Sequence, residues 1–136
     1  MNLTSALYDL LSSDATLCAM LATYAGGPAI FTTDPAPGNA TLPYIVSAGH
    51  VADVPWYTKL SLGREVTRDV RCYAAADGSA AAIESIAERV RDLLHRSEME
   101  VDGHTVVVAD CAGPVQADEQ DAYGRILTIR LLIEED

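Results

Sequence analysis

The 136-residue sequence has no long apolar run and few basic residues. No hydrophobic stretch approaches the roughly 20 residues that a membrane-spanning helix needs. The N-terminus, from Met1 to Thr4, lacks the basic stretch and apolar core of a secretory signal. Nine Lys and Arg residues stand against 20 Asp and Glu residues, which gives a formal charge of −11 and opposes binding to nucleic-acid phosphates and anionic membranes. The sequence therefore predicts a soluble, cytosolic protein that does not recognise nucleic acid.

Cysteine is also scarce. Cys18, Cys72 and Cys111 are odd in number and widely separated, and each has Ala, Leu or Tyr on at least one side. This pattern is typical of buried thiols that pack as small apolar side chains, and it does not indicate a disulfide framework.

Recognisable catalytic and metal-binding patterns are missing as well. Ser47, His50 and Asp53 lie close in sequence, but residues three apart in a strand point to opposite faces, so they do not predict a triad. His104 has no second histidine or cysteine at metal-ligand spacing. The sequence predicts no enzyme, no cofactor and no metal site.

The sequence does contain clear periodic segments. The strongest is an amphipathic helix over residues 83–94, where apolar residues recur at steps of three and four. Residues 64–73 and 125–133 alternate as half-buried strands do, and Asp102-Gly103 suits a tight hairpin turn within 98–109. Shorter helices are expected over 3–11 and 15–24, and another strand over 44–51.

This order of elements predicts an α+β fold. We expect a mainly antiparallel sheet of about four to five strands, with the helices packed on one face. At this length the chain should form a single domain over residues 1–136.

Several segments, taken in their order along the chain, carry a resemblance to one known family. They are Ala6-Leu7-Tyr8-Asp9-Leu10-Leu11, Leu42-Pro43-Tyr44-Ile45-Val46, Arg64-Glu65-Val66, Val70-Arg71-Cys72-Tyr73-Ala74, the helix over 83–94 and a late alternating strand. In this combination the chain resembles the tail terminator (tail completion) family of long-tailed bacteriophages. That family includes the tail-to-head joining proteins and the corresponding component of phage-like gene-transfer agents.

The resemblance implies a virion structural protein in the neck region between head and tail, assembled in the cytoplasm of the bacterial host. Such a protein forms a hexameric ring that caps the tail tube, ends its polymerisation and joins the tail to the head connector. The implied partners are further copies of the chain, the tail-tube protein and the head-completion (stopper) protein. DNA would pass through the ring without specific binding.

Two groups of residues are candidates for the contacts of such a ring. The acidic loop with Asp118, Glu119 and Asp121 is a candidate for lining the lumen or for facing a partner. Exposed strand edges offer material for contacts between subunits, which makes Tyr44, Val46, Arg125 and Arg130 candidates as well. The alternatives are that the loop is merely solvated and flexible, and that both strands are central.

Two other functions stay open at this point. One is a different neck component, a head-closure or connector protein. The other is a small cytosolic ligand-binding module with Phe31, Trp56 and Tyr57 around a groove.

Overall fold

The computed structural model describes residues 2–57, 59, 62–119 and 121–136. The described residues form helices and strands in the order α1 (Leu3–Ser12), α2 (Ala15–Met20), β1 (Thr23–Tyr24), β2 (Gly27–Pro28), β3 (Ile30–Phe31), β4 (Tyr44–Val46), β5 (Ala52–Tyr57), β6 (Leu62–Ala75), α3 (Ala81–Leu94), β7 (His104–Gln116) and β8 (Ala122–Glu135).

The main sheet has the strand order β3-β4-β6-β8-β7. Strand β5 lies beside the first half of β6, while β4 lies beside its second half. All these pairs are antiparallel except β3 with β4. Strands β1 and β2 form a separate two-stranded ribbon.

The helices cover one face of this sheet, the inner face. Strand β6 contributes alternate residues to this face, among them Val66, Val70 and Cys72, which pack with residues of β8 such as Leu127 and Ile129. The buried residues of all three described helices belong to the same apolar cluster. No described helix is long and apolar enough to cross a membrane.

Side chains fix where the first two helices begin. Asn2 accepts a hydrogen bond from the Ser5 amide at 3.0 Å, and Asp14 accepts one from the Leu17 amide at 2.8 Å. These bonds satisfy amide groups that the first turn of a helix otherwise leaves without a partner.

The α+β class, the mainly antiparallel sheet and the helices on one face are all confirmed. The path through the sheet has five strands, and β5 adds a sixth that was not predicted. The strand expected over 44–51 ends at Val46, because the chain then bends through Gly49, whose φ of +61° suits glycine. In the expected hairpin over 98–109 only Val101 pairs with His104, and β7 pairs with β8 instead.

The structure corrects the expectation that Tyr44, Val46, Arg125 and Arg130 lie on strand edges. Tyr44 and Val46 belong to β4, which has β3 on one side and β6 on the other. Arg125 and Arg130 belong to β8, which lies between β6 and β7. Both strands are therefore central, and among the described strands of this sheet the edges are β3, β5 and β7.

Candidate functional site

The turn between β7 and β8 carries the predicted acidic residues and is ordered by them. The Asp118 carboxylate accepts hydrogen bonds from the Gly124 amide at 3.0 Å and from the Gln116 side chain at 2.6 Å. Arg125 Nη1 lies 3.2 Å from the same carboxylate. The Gly124 bond first, and then the Gln116 bond, hold the pKa of Asp118 below its usual value. Asp118 thus closes the turn of its own hairpin.

The other two acidic residues of the turn differ from each other. Glu119 accepts a hydrogen bond from the Tyr73 hydroxyl at 3.2 Å, and its backbone forms a bridge with Ala122. Asp121 is exposed. All three acids are exposed to solvent, and Asp118 and Glu119 differ from Asp121 in also forming hydrogen bonds within the chain.

The two arginines of β8 take different roles. Arg125 is 13% exposed and lies between Asp118 and Glu84 of α3, 3.9 Å away, so it ties the acidic turn to the helix layer. Arg130 lies on the outer face of the sheet, 3.1 Å from Glu65 on β6 and 3.5 Å from Asp110 on β7. Arg130 therefore joins three neighbouring strands by exposed ion pairs, which contribute little to stability.

Tyr44 lies in a row of aromatic side chains. Its ring contacts Phe31 and Tyr73 edge to face, with centroids 5.6 and 5.4 Å apart, and Phe31 contacts Tyr24 at 5.1 Å. Val46 is buried in the small apolar cluster that includes Tyr73. Both residues pack within the chain, and their predicted role in subunit contacts stays a prediction.

The residues proposed for a ligand groove do not come together. Phe31 is buried in the aromatic row, whereas Trp56 and Tyr57 follow each other on β5 and so point to opposite faces. Trp56 packs over Gly63, and Tyr57 is exposed beside Leu62. This arrangement does not support the ligand-binding module.

The residues considered for catalysis do not form a catalytic group with one another. The carboxylate of Asp53 is bound by the Arg64 guanidinium, with Nε 2.9 Å from Oδ1, so it does not orient His50. Ser47 is buried, and its hydroxyl has no hydrogen-bond partner. His95 is the C-cap of α3, where its backbone amide donates to the Arg91 carbonyl, and its Nδ1 accepts a hydrogen bond from the Cys111 amide of β7 at 3.1 Å.

Metal and thiol chemistry find no support either. Within the described ranges, no group of three His, Cys, Asp or Glu residues could hold a metal ion. Burial raises the pKa of the Cys72 thiol to about 12 and also raises that of Cys111. Such thiols remain protonated and inert at neutral pH.

Arg68 is a feature that the sequence analysis missed. It is 1% exposed on the inner face, where Nη1 donates to Thr4 Oγ1 at 2.9 Å and Nη2 to the Ser47 carbonyl at 3.2 Å. Its Nε has no hydrogen-bond partner among the described residues, and burial lowers the pKa of the guanidinium. The signal was present in the sequence, since Arg68 has the same strand parity as Val66 and Val70.

Comparison with known proteins gives one family and two informative structures. The family model described as "Tail completion protein gp17" matches residues 5–134. A chain in the virion of a native gene transfer agent (GTA) particle shares 22% identity, with a TM-score of 0.79 over 97% of this chain and 94% of that chain. The bacteriophage SPP1 gp17 protein shares 24% identity, with a TM-score of 0.59 over 96% of this chain and 87% of that one. At these identities both structures establish the fold alone. Among curated proteins, no sequence matches significantly.

Proposed function

The chain belongs to the tail completion protein gp17 family, and from this premise we propose that it forms a hexameric ring that caps the tail tube. It is a structural protein of a phage or gene-transfer-agent virion and not an enzyme. In the proposed role the ring ends polymerisation of the tube and joins the tail to the head connector. The observation that carries the proposal is the family match over residues 5–134, which takes in all the strands of the sheet.

To form a ring of this kind, the chain needs only surfaces that contact other copies and the partners of the ring. Each copy must contact the next through two different patches, and the rotation between copies must close after a fixed number of subunits. The proposed partners outside the ring are the tail-tube protein and the head-completion (stopper) protein. A head-closure component would bind the connector but leave tube growth unchanged.

We further propose that the acidic turn faces the lumen of the ring. Six copies of a chain with formal charge −11 carry six times −11, or −66, which opposes adhesion of DNA passing through. All three acids of this turn are exposed, and Asp118 and Glu119 also bond to their own chain.

Neutralising the turn tests the lumen proposal. With Asp118→Asn, Glu119→Gln and Asp121→Asn combined, we expect slower or less complete genome delivery from assembled particles, because DNA is repelled less. Asp121→Asn alone should leave folding unchanged and is the matched variant for a charge effect without loss of turn bonds. Unchanged delivery in the triple variant would count against a lumen role. Particles whose heads fail to join tails would instead place the turn at a partner.

Removing the protein tests the proposed function itself. Cells that produce the particle without this chain should accumulate tails of uncontrolled length that are not joined to heads. Supplying the chain in trans should restore both uniform length and joining. Tails of normal length in its absence would contradict a terminating role, and normal length without joining would favour a head-closure component.

A further inference from the structure

The large apolar side chains that are exposed lie at two opposite sides of the sheet. In the described part of the chain they are Val51, Val54, Tyr57 and Leu62 on or beside the β5–β6 hairpin, and Val107 and Val115 on β7. We call the first four the hairpin patch; Val54 faces one side of the sheet and Tyr57 and Leu62 face the other, so the patch lies on both sides of this edge. In the sheet, β5 and β7 are separated by β6 and β8, so the two groups are on opposite edges. Exposed apolar groups that are clustered in this way mark interaction surfaces.

The strand register places part of β7 level with the hairpin patch. Val54 pairs with Glu65, Glu65 pairs with Leu132, and Leu132 pairs with Val108. Val107 is the bulged residue beside Val108 and is 47% exposed. A second copy displaced sideways, without slipping along the strands, would therefore bring its hairpin patch to Val107. Val115 lies farther along β7, where it pairs with Ile126 of β8.

The end of α3 covers the β7 edge between Ala109 and Gly113. The Arg96 amide donates to the Ala109 carbonyl at 2.8 Å, the Cys111 amide donates to His95, and Arg91 donates to the Cys111 carbonyl at 2.8 Å. Among the described residues, no backbone hydrogen bond reaches the outer edge of β7 between Thr105 and Val108. This stretch, the open β7 segment, is the part of the edge that lies level with the hairpin patch.

The charges of the two surfaces are complementary. Residues 51–64 carry one acidic and two basic residues, a net charge of +1 in a chain of −11. Residues 98–116 contain no Lys or Arg and four acids, a net charge of −4. The residues concerned are Asp53, Lys59 and Arg64 on or beside the hairpin patch, and Glu98, Glu100, Asp102 and Asp110 on either side of the open β7 segment. Asp53 also pairs with Arg64, and Asp110 with Arg130, within the chain. The β7 edges of two copies would repel each other, whereas the β5–β6 hairpin of one copy and the β7 edge of another would attract each other.

We infer that the hairpin patch of one copy packs against the open β7 segment of the next copy, and that this heterologous contact repeats around the ring. The inference rests on the ring proposed above and names the surfaces that build it. Pro55 removes one backbone donor from the β5 edge, so side chains hold the contact and the edges do not extend into an open-ended sheet.

Site-directed cross-linking tests this contact. In a Cys18→Ser background, since Cys18 is the partly exposed cysteine, one variant carries Val54→Cys, at the residue level with Val108, and another Val107→Cys. A short bismaleimide is added to each variant alone, to their mixture and to the double variant, with and without tail-tube protein. We expect no product from either single variant, dimers only from the mixture, and a ladder of larger products from the double variant.

Val115→Cys in place of Val107→Cys is the matched control, because it lies on the same strand and is 63% exposed but is not level with the hairpin patch. It should give no ladder. Dimers from Val54→Cys alone would show a symmetric contact and overturn the inference. The inference is also overturned if neither the mixture nor the double variant gives a product, with or without tail-tube protein. If capped tubes form but no cross-link does, the proposed ring is retained and its contact surfaces lie elsewhere. If the tubes are not capped at all, the proposed function is contradicted as well.

Discussion

Replacing Arg68 by methionine measures how the core tolerates a buried cation. Arg68 is 1% exposed and has no carboxylate among its hydrogen-bond partners in the described chain, which are Thr4 Oγ1 and the Ser47 carbonyl. Methionine has a similar length, carries no charge and keeps the side chain apolar on the inner face, so the substitution removes the charge without opening a large cavity.

The expected change in stability is small or positive. Two hydrogen bonds from a charged donor contribute about 1.5–3 kcal/mol each. Against them stand several kcal/mol for burying the guanidinium and about 1–3 kcal/mol for the unpartnered Nε. Because these contributions are of similar size, the free energy of unfolding of Arg68→Met should lie within about 1 kcal/mol of the natural protein or above it.

Urea unfolding followed by Trp56 fluorescence measures this directly. Arg68→Ala is the control, because it removes the same charge but leaves a cavity, and it should be about 2–5 kcal/mol less stable than the methionine variant. A loss of about 3–5 kcal/mol in Arg68→Met, the cost of breaking a buried ion pair, would refute the reasoning. It would mean that a compensating anion reaches the guanidinium.

Two further predictions concern stability at low pH and the packing around Gly63 in the β5–β6 hairpin. The pKa values of Asp14 and Asp53, bound by arginines, and of Asp118, bound by a backbone amide, lie below the ordinary value of 3.8. The unfolded chain therefore binds protons first, so their stabilisation is complete above about pH 5 and is lost as pH falls through the lower folded-state pKa values. Urea unfolding over this range should show a smaller loss when all three are changed to Asn, and an unchanged loss would contradict this assignment. Gly63→Ala should lower the free energy of unfolding by about 1–3 kcal/mol, because a Cβ there would meet two carbonyl oxygens at 2.7 Å. Gly38→Ala, which meets nothing within 4 Å, is its control, and equal stability of the two variants would be inconsistent with this contact.

Elements whose pattern is local were predictable from the sequence. The helix predicted over 83–94 is Ala81–Leu94, because its apolar stripe repeats at the helical period. The alternation within 64–73 and 125–133 likewise identified the two long central strands β6 and β8. Both patterns depend only on which face of an element is buried.

Strand neighbours were not predictable in the same way. Which strands lie at an edge depends on pairing between residues far apart, such as Tyr44 with Tyr73, and the sequence of a single strand does not encode it. For the same reason β4 and β8 could not be distinguished from edge strands. Pro55 and the weak alternation around it concealed β5, the strand that contributes two of the four residues of the hairpin patch.

The acidic turn shows a similar division. Its composition predicted the charge correctly, but not that Asp118 would close the turn or that Tyr73 would donate to Glu119 across the sheet. The Asp118 bond depends on how the chain turns from β7 to β8, and the Tyr73 bond depends on β6 lying beside β8, which is a property of the folded sheet.

The most direct measurement of the central claim is the length of tail tubes assembled in the presence of this protein. Purified tail-tube protein is polymerised with increasing amounts of the chain and imaged by electron microscopy. The proposed function predicts that tubes become shorter as the chain is added and that each stopped end carries a ring of six copies. Tubes that elongate without limit, with no ring at their ends, would contradict it.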